Sequence, residues 1–447
     1  MKNLTLQSLA AVCGGRYIGS AQDLGREVSA VTTDSRAVTP GCLFAAIAGE
    51  RADGHDFVPA ARRDGALCAL VEREIPDGGN QIVVADTLAA LQAAAAFYRA
   101  QFEIPVLGIT GSVGKTTAKE MISAVLSRRF RVHKTAGNFN NDLGVPLTLF
   151  GLREEHNFAV VELGVSHPGD MERLARMARP TAALFTVIGH AHLEFLKSRE
   201  GILAEKSVVN RYLPPEGAVF CSGDDDLLRA METRQRKITF GLAADCDVRA
   251  EDIRQLPDGG TACTIRGFGR AFEAVIPAYG EHMVAAALEG AAVGMHYGLT
   301  DGEIAAGIAA YAPVGRRARR VQTGRITLID DCYNANPTST ASALRSLARA
   351  EGRRVAILGD MLELGADSAR LHRETGALAA QCADAVVCTG DAAADIARGA
   401  GERGLWFDTR DALIAALPGL IRPGDTVLVK ASRSLRFEEI AAALELF

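Results

Sequence analysis

The run Val106-Leu107-Gly108-Ile109-Thr110 leads straight into Gly111-Ser112-Val113-Gly114-Lys115-Thr116-Thr117, and this junction constrains the fold more than any other stretch of the chain. An unbroken apolar run suits a strand buried on both faces, as in the centre of a parallel sheet covered by helices. A glycine-spaced turn follows, and then an amphipathic helical segment. This is the layout of a phosphate-cradling loop, in which glycines let backbone N–H groups close around phosphate oxygens and the helix start adds a favourable dipole. Lys115 is placed to reach β- and γ-phosphates, and the Thr116 hydroxyl to ligate Mg²⁺. Gly111, Ser112, Val113, Gly114 and Thr117 complete the cradle. The loop is short, with Ile109 standing where the longer form of the motif has its first glycine.

At 447 residues the chain exceeds what one hydrophobic core holds, and about three domains are expected. A formal net charge of −5 gives no support for a nucleic-acid or membrane-surface partner. The nine cysteines form no Cys-x-x-Cys pair and no Cys/His cluster at zinc spacing, so they read as reduced, buried residues of a cytoplasmic protein. No stretch approaches the roughly 18–20 apolar residues of a membrane span. Met1-Lys2-Asn3-Leu4-Thr5-Leu6-Gln7 lacks the cationic-then-apolar pattern of a secretory leader.

The first 100 residues hold short strand-like runs between glycine turns, then an alanine-rich helix over Thr87–Tyr98. From 101 to 314 strand and helix alternate, with Phe158–Leu163 and Ala182–Ile188 as further central parallel strands. Around Pro257-Asp258-Gly259-Gly260 the texture changes to an antiparallel hairpin edge, and a helix from His282 to His296 follows. Beyond Pro313-Val314-Gly315-Arg316 the strands Thr327–Asp330, Val355–Leu358, Ala385–Cys388 and Thr426–Val429 are separated by helices, the pattern of a doubly wound sheet.

Several polar clusters sit where such strands end. Glu162 closes one apolar strand, either as a Mg²⁺ ligand beside the loop or as a solvent-facing carboxylate. His192, in Gly189-His190-Ala191-His192, falls along the same sheet edge, as a metal ligand or a structural histidine. Lys206, in Leu203-Ala204-Glu205-Lys206-Ser207-Val208, reads on its own as a solvated helix lysine. Gly137-Asn138-Phe139-Asn140-Asn141-Asp142 is an amide-rich loop, suited to a nucleotide or a substrate carboxylate, or simply to capping a helix. Asp331-Cys332-Tyr333-Asn334-Ala335-Asn336-Pro337, Gly359-Asp360-Met361-Leu362-Glu363-Leu364-Gly365 and Lys430-Ala431-Ser432-Arg433 all follow strands of the third unit, where open α/β sheets bind ligands.

Together these strings resemble the Mur ligase family, across essentially the whole chain. The family's short Thr-Gly-x-x-Gly-Lys-Thr loop is Thr110–Thr116 here, which accounts for the missing glycine. Asn138–Pro146, Tyr333–Pro337, Asp360–Gly365 and the following His372 are similar to the branch that joins D-alanyl-D-alanine to UDP-N-acetylmuramoyl-tripeptide, a step in building the cell-wall peptide. The resemblance implies an α/β fold of three domains. Residues 1–100 would be a small α/β domain for the UDP-sugar, with Ser35 and Arg36 in the uridine-contacting motif. Residues 101–314 would be a P-loop ATPase domain with a mostly parallel sheet, and 315–447 a Rossmann-like domain for the incoming dipeptide.

The resemblance also implies roles for single residues. Lys115, Glu162, His192 and Lys206 would be catalytic, and Thr116, Glu162, His192 and Lys206 would hold Mg²⁺, two ions in the family's pattern, with Lys206 carbamylated. Asn141, Arg316, Asp331 and Asn334 would join the loop in binding ATP. Asn138, Asn140, Asn336 and Asp360 would place substrates. A monomer is expected. Two departures stand out, because Met283 and Ala286 occupy positions where the family usually carries asparagines near adenosine. The implied reaction is amide formation through an acyl phosphate. The competing readings are another amino-acid or folate-glutamate ligase of this architecture, or a nucleotide-binding module without turnover.

Overall fold

The computed structural model describes residues 1–49, 52–256, 260–278, 280–313 and 315–447. Glu50, Arg51, Val314 and the expected turn at Pro257–Gly259 lie outside the described residues. Three sheets follow one another along the chain. The first has five strands in the order 16–18, 81–83, 68–71, 43–45, 31–32, parallel except for the first pair. The third has six, in the order 319–322, 327–330, 426–430, 354–358, 385–389, 404–407, parallel except for the edge strand Arg319–Gln322.

The central sheet has nine strands. Val106–Thr110 lies between Phe158–Glu162 and Ala182–Phe185, parallel to both. All fourteen residues of these three strands are buried, which is why each reads as an uninterrupted apolar run. The chain moves outward on one side of Val106–Thr110 and then returns on the other. The two connections therefore diverge at its carboxyl end, and this is where open α/β sheets bind ligands. The far edge is antiparallel: Val248–Gln255, Thr261–Gly267 and Arg270–Ile276 pair in sequence, as expected on either side of the turn outside the described residues.

The helix Lys115–Leu126 is amphipathic and packs its apolar side against the helices Glu281–His296 and Asp301–Ala309. Met283 and Ala286 are buried in that core. A second apolar core is continuous from Leu4 and Tyr98, through Phe150 and Phe185, to Ala335, Met361 and Leu364. The three sheets thus share buried surface, and the loops at the carboxyl ends of the central strands face residues of the third sheet. All nine cysteines are free, eight of them buried.

Candidate active site

The phosphate loop owes its shape to two glycines. Gly111 (φ +140°) and Gly114 (φ +88°) adopt backbone conformations that side chains disfavour. A Cβ on Gly111 would lie 2.0 Å from Thr186 Oγ1. Thr186 Oγ1 donates to the Val113 carbonyl at 2.5 Å, and Ser112 N–H donates to the Val187 carbonyl at 2.8 Å, so the neighbouring strand end holds the loop. Lys115 opens the helix and folds back to donate to the Gly111 carbonyl at 2.7 Å, spanning the cradle that its ammonium would share with a phosphate.

Glu162 ends its strand fully buried beside this loop. One carboxylate oxygen accepts from Thr116 Oγ1 at 3.0 Å, and the other from Asn140 Nδ2 at 2.7 Å. The Thr135 hydroxyl accepts from the Glu162 backbone N–H at 3.0 Å. The amide-rich loop is therefore partly a support for Glu162. Asn141 Oδ1 accepts from Gly144 N–H at 2.8 Å and turns the chain into the helix Gly144–Phe150, while Asn138 is exposed.

His192 follows Ala182–Phe185 in a left-handed conformation (φ +60°). Its Nδ1–H donates to Glu363 Oε2 of the third unit at 2.5 Å. That bond holds the Glu363 carboxyl below the usual carboxylate range. Lys206, at the end of the helix Arg199–Ser207, is wholly buried, and its Nζ has no hydrogen-bond partner. Burial, reinforced by the nearby Lys115 charge, pushes its ammonium well below the ordinary lysine range. Lys206 is not the solvated lysine that its local sequence suggests. Lys115 is also pushed down, first by burial and then by Arg317, with Glu162 opposing.

In the third unit the expected residues are held by one another. Arg316 pairs with the buried Asp330 at 2.6 Å, and Lys430 pairs with Asp331 at 2.5 Å while donating to the Asn334 carbonyl at 3.0 Å. Asn336 caps the helix Pro337–Ala348. Asp360 accepts from the Ala393 N–H at 2.7 Å, at the start of another helix, and burial raises its carboxyl. In the first unit, Arg36 is exposed and forms a forked ion pair with Asp34, with Ser35 between them. Sequence reasoning missed two residues. Arg317 stacks its guanidinium 3.8 Å over the Tyr333 ring, and its field reaches Lys115; the only signal was the arginine-rich stretch Arg316-Arg317-Ala318-Arg319-Arg320. Glu363 was seen only as part of a motif.

Among the described residues no three or more His, Cys, Asp or Glu side chains are grouped to hold a metal ion. The donors beside the loop are Glu162 and the Thr116 hydroxyl, with His192 following the end of the neighbouring strand. Their oxygens suit a divalent cation, and the buried Lys206 amine, near enough to feel the Lys115 charge, has no partner of its own.

Fold and site together define a P-loop enzyme that handles a nucleotide phosphate at the seam between two α/β units. The chain belongs to the Mur ligase family: residues 109–294 match the Mur ligase middle domain, 316–433 the Mur ligase glutamate ligase domain, and 27–136 the Mur ligase family catalytic domain. It is 38% identical to the UDP-N-acetylmuramoyl-tripeptide–D-alanyl-D-alanine ligase of Escherichia coli, over 100% of this chain and 99% of that one. A crystal structure of MurF from Acinetobacter baumannii superposes with a TM-score of 0.92 at 32% identity, covering 99% of each chain. One from Thermotoga maritima in complex with ADP has a TM-score of 0.83 at 28% identity, covering 93% of this chain and 97% of the other.

Proposed function

We propose that this chain joins D-alanyl-D-alanine to UDP-N-acetylmuramoyl-tripeptide, with cleavage of ATP to ADP and phosphate, in cytoplasmic peptidoglycan precursor synthesis. The observation that carries this reading is an intact loop, with Lys115 and Thr116 beside Glu162, in a chain that matches such a ligase from end to end. The tripeptide's terminal carboxylate attacks the γ-phosphate in line, forming an acyl phosphate and releasing ADP. The dipeptide amine then attacks the acyl carbon, and phosphate leaves from the tetrahedral intermediate with a proton lost from nitrogen.

Carboxylate and phosphate repel, so the site must concentrate positive charge. Lys115 leaves the Gly111 carbonyl for the β/γ-phosphates, and Arg317 adds a second cation held flat on Tyr333. Thr116, Glu162, His192 and a carbamylated Lys206 would hold Mg²⁺, which supplies charge neutralisation at the phosphates. Burial lowers the Lys206 ammonium and so favours the neutral amine that carbamylation needs: N attacks CO₂, a C–N bond forms as one C=O π bond breaks to give the carboxylate oxygen, and a proton leaves nitrogen. Gly111–Thr117 would cradle the phosphates, with Asn141, Arg316, Asp331 and Asn334 at the nucleotide's edge. Ser35 and Arg36 would meet the uridine end, and Asn138, Asn140, Asn336 and Asp360 would frame the peptide substrates. Units 1–100, 101–314 and 315–447 divide this work.

Phosphate release tests the assignment. Release from ATP that requires both UDP-N-acetylmuramoyl-tripeptide and D-alanyl-D-alanine is expected. Release with a single amino acid or a folate in place of the dipeptide would overturn it.

A further inference from the structure

The string Asp360-Met361-Leu362-Glu363-Leu364-Gly365 is braced at successive backbone positions. Asp360 Oδ1 accepts from Ala393 N–H at 2.7 Å; Met361 N–H donates to His372 Nε2 at 2.9 Å; Leu362 N–H donates to Ser432 Oγ at 3.0 Å. His372 is fully buried, and its other nitrogen donates to the Ser368 carbonyl at 2.7 Å, which fixes the ring. The braced segment ends on Glu363, in a left-handed conformation (φ +61°). Glu363 meets His192, itself left-handed, across the seam. Its backbone carbonyl also accepts from Glu194 N–H at 3.0 Å, and Gly365 packs on the Glu194 backbone. Two disfavoured backbone conformations, one from each unit, therefore meet at a side-chain bond and a main-chain bond. Folding alone has no need of such a pairing, and strain of this kind collects where geometry is functional.

We infer that Glu363 is a positioning residue for His192: seating of the third unit delivers Glu363 to Nδ1, which fixes the ring and leaves the Nε2 lone pair for the divalent cation at the loop. The inference rests on the reading of His192 as a cation ligand. A carboxylate behind a ligating imidazole orients the ring and raises its basicity. Here that carboxylate belongs to the third unit rather than to the unit carrying the loop, so the cation site draws on both units. Beside any contact that Asp360 makes with a peptide substrate, the motif is on this account also a bracket, whose Asp360, Met361 and Leu362 bonds aim one side chain.

The test is Mn²⁺ affinity, read by electron paramagnetic resonance on the full chain in the presence of ADP. Glu363→Ala is expected to weaken Mn²⁺ binding about ten- to a hundred-fold, as loss of an outer-shell carboxylate does. Glu363→Gln, which keeps an oxygen acceptor at the same reach, should recover most of it. Glu363→Ala combined with His192→Ala should bind no worse than His192→Ala alone. Wild-type affinity in Glu363→Ala, with a loss in His192→Ala, would overturn the positioning role and leave the ligand assignment standing. Unchanged affinity in His192→Ala would overturn the ligand assignment and this inference with it.

Discussion

The Thr116 hydroxyl donates to Glu162 Oε2 at 3.0 Å, so the phosphate loop is tied to the end of the strand beside it. Glu162 is also held by Asn140 and Thr135, and the carboxylate is pre-oriented before any ligand arrives. Pre-orientation is where such sites gain rate, because no reorganisation is needed as charge moves. Lys115→Ala and Glu162→Ala should each lower kcat/KM by roughly 10²–10³. Steady-state kinetics, with circular dichroism to check the fold, measures this. Near-wild-type turnover in either variant would remove the loop from the mechanism.

Gly111→Ala should fail for a local reason. The added Cβ would meet Thr186 Oγ1 at 2.0 Å, and φ of +140° is foreign to alanine. A loss of more than about 1 kcal/mol of stability is expected, since the native backbone cannot accept the side chain. Nucleotide affinity should fall with it, because Thr186 also fixes the Val113 carbonyl. Denaturant melts and a titration with ADP read the two effects separately.

Lys206 should show opposite signs in stability and activity. A buried amine without a partner is a cost to the fold. Lys206→Met, similar in length and apolar, should therefore leave thermal stability unchanged or raise it, while turnover collapses. In the wild type, turnover should fall when CO₂ is stripped from the buffer and return with bicarbonate. An active Lys206→Met variant would contradict the carbamate assignment.

Glu289 gives the chain a pH dependence unrelated to the site. It lies buried in the helix Glu281–His296, and burial raises its carboxyl from 4.5 to about 8. Between those values the folded chain keeps a proton that the unfolded chain has lost. The contribution is full below the unfolded value, declines by roughly 1.4 kcal/mol for each pH unit, and levels off above the folded one. Glu289→Gln should flatten this part of the stability profile and raise stability at alkaline pH. Denaturant midpoints across pH 5 to 9 check it.

How much of this was legible in the sequence differs from element to element. Val106–Thr110, Phe158–Glu162 and Ala182–Phe185 were readable because burial on both faces leaves an unbroken apolar signature. The loop was readable because its glycines answer to local backbone geometry. Lys206 was not: nothing in Leu203–Val208 says that this lysine, with exposed Ala204 and half-buried Glu205 and Ser207 around it, is itself buried. The His192–Glu363 pair was not either, since its members are 171 residues apart and no periodicity links them. Arg317 was hidden in an arginine-rich stretch, where only the packing on Tyr333 singles it out. Asn336 and Asp360 were visible as polar residues at strand ends, but their helix-capping bonds emerge only in three dimensions.

The central claim is that the phosphate loop converts a carboxylate into an acyl phosphate for attack by an amine. Oxygen-18 placed in the terminal carboxylate of UDP-N-acetylmuramoyl-tripeptide tests it most directly. With ATP and D-alanyl-D-alanine, the released phosphate should carry one labelled oxygen for each amide formed. Unlabelled phosphate, or label retained in full by the peptide product, would contradict the account.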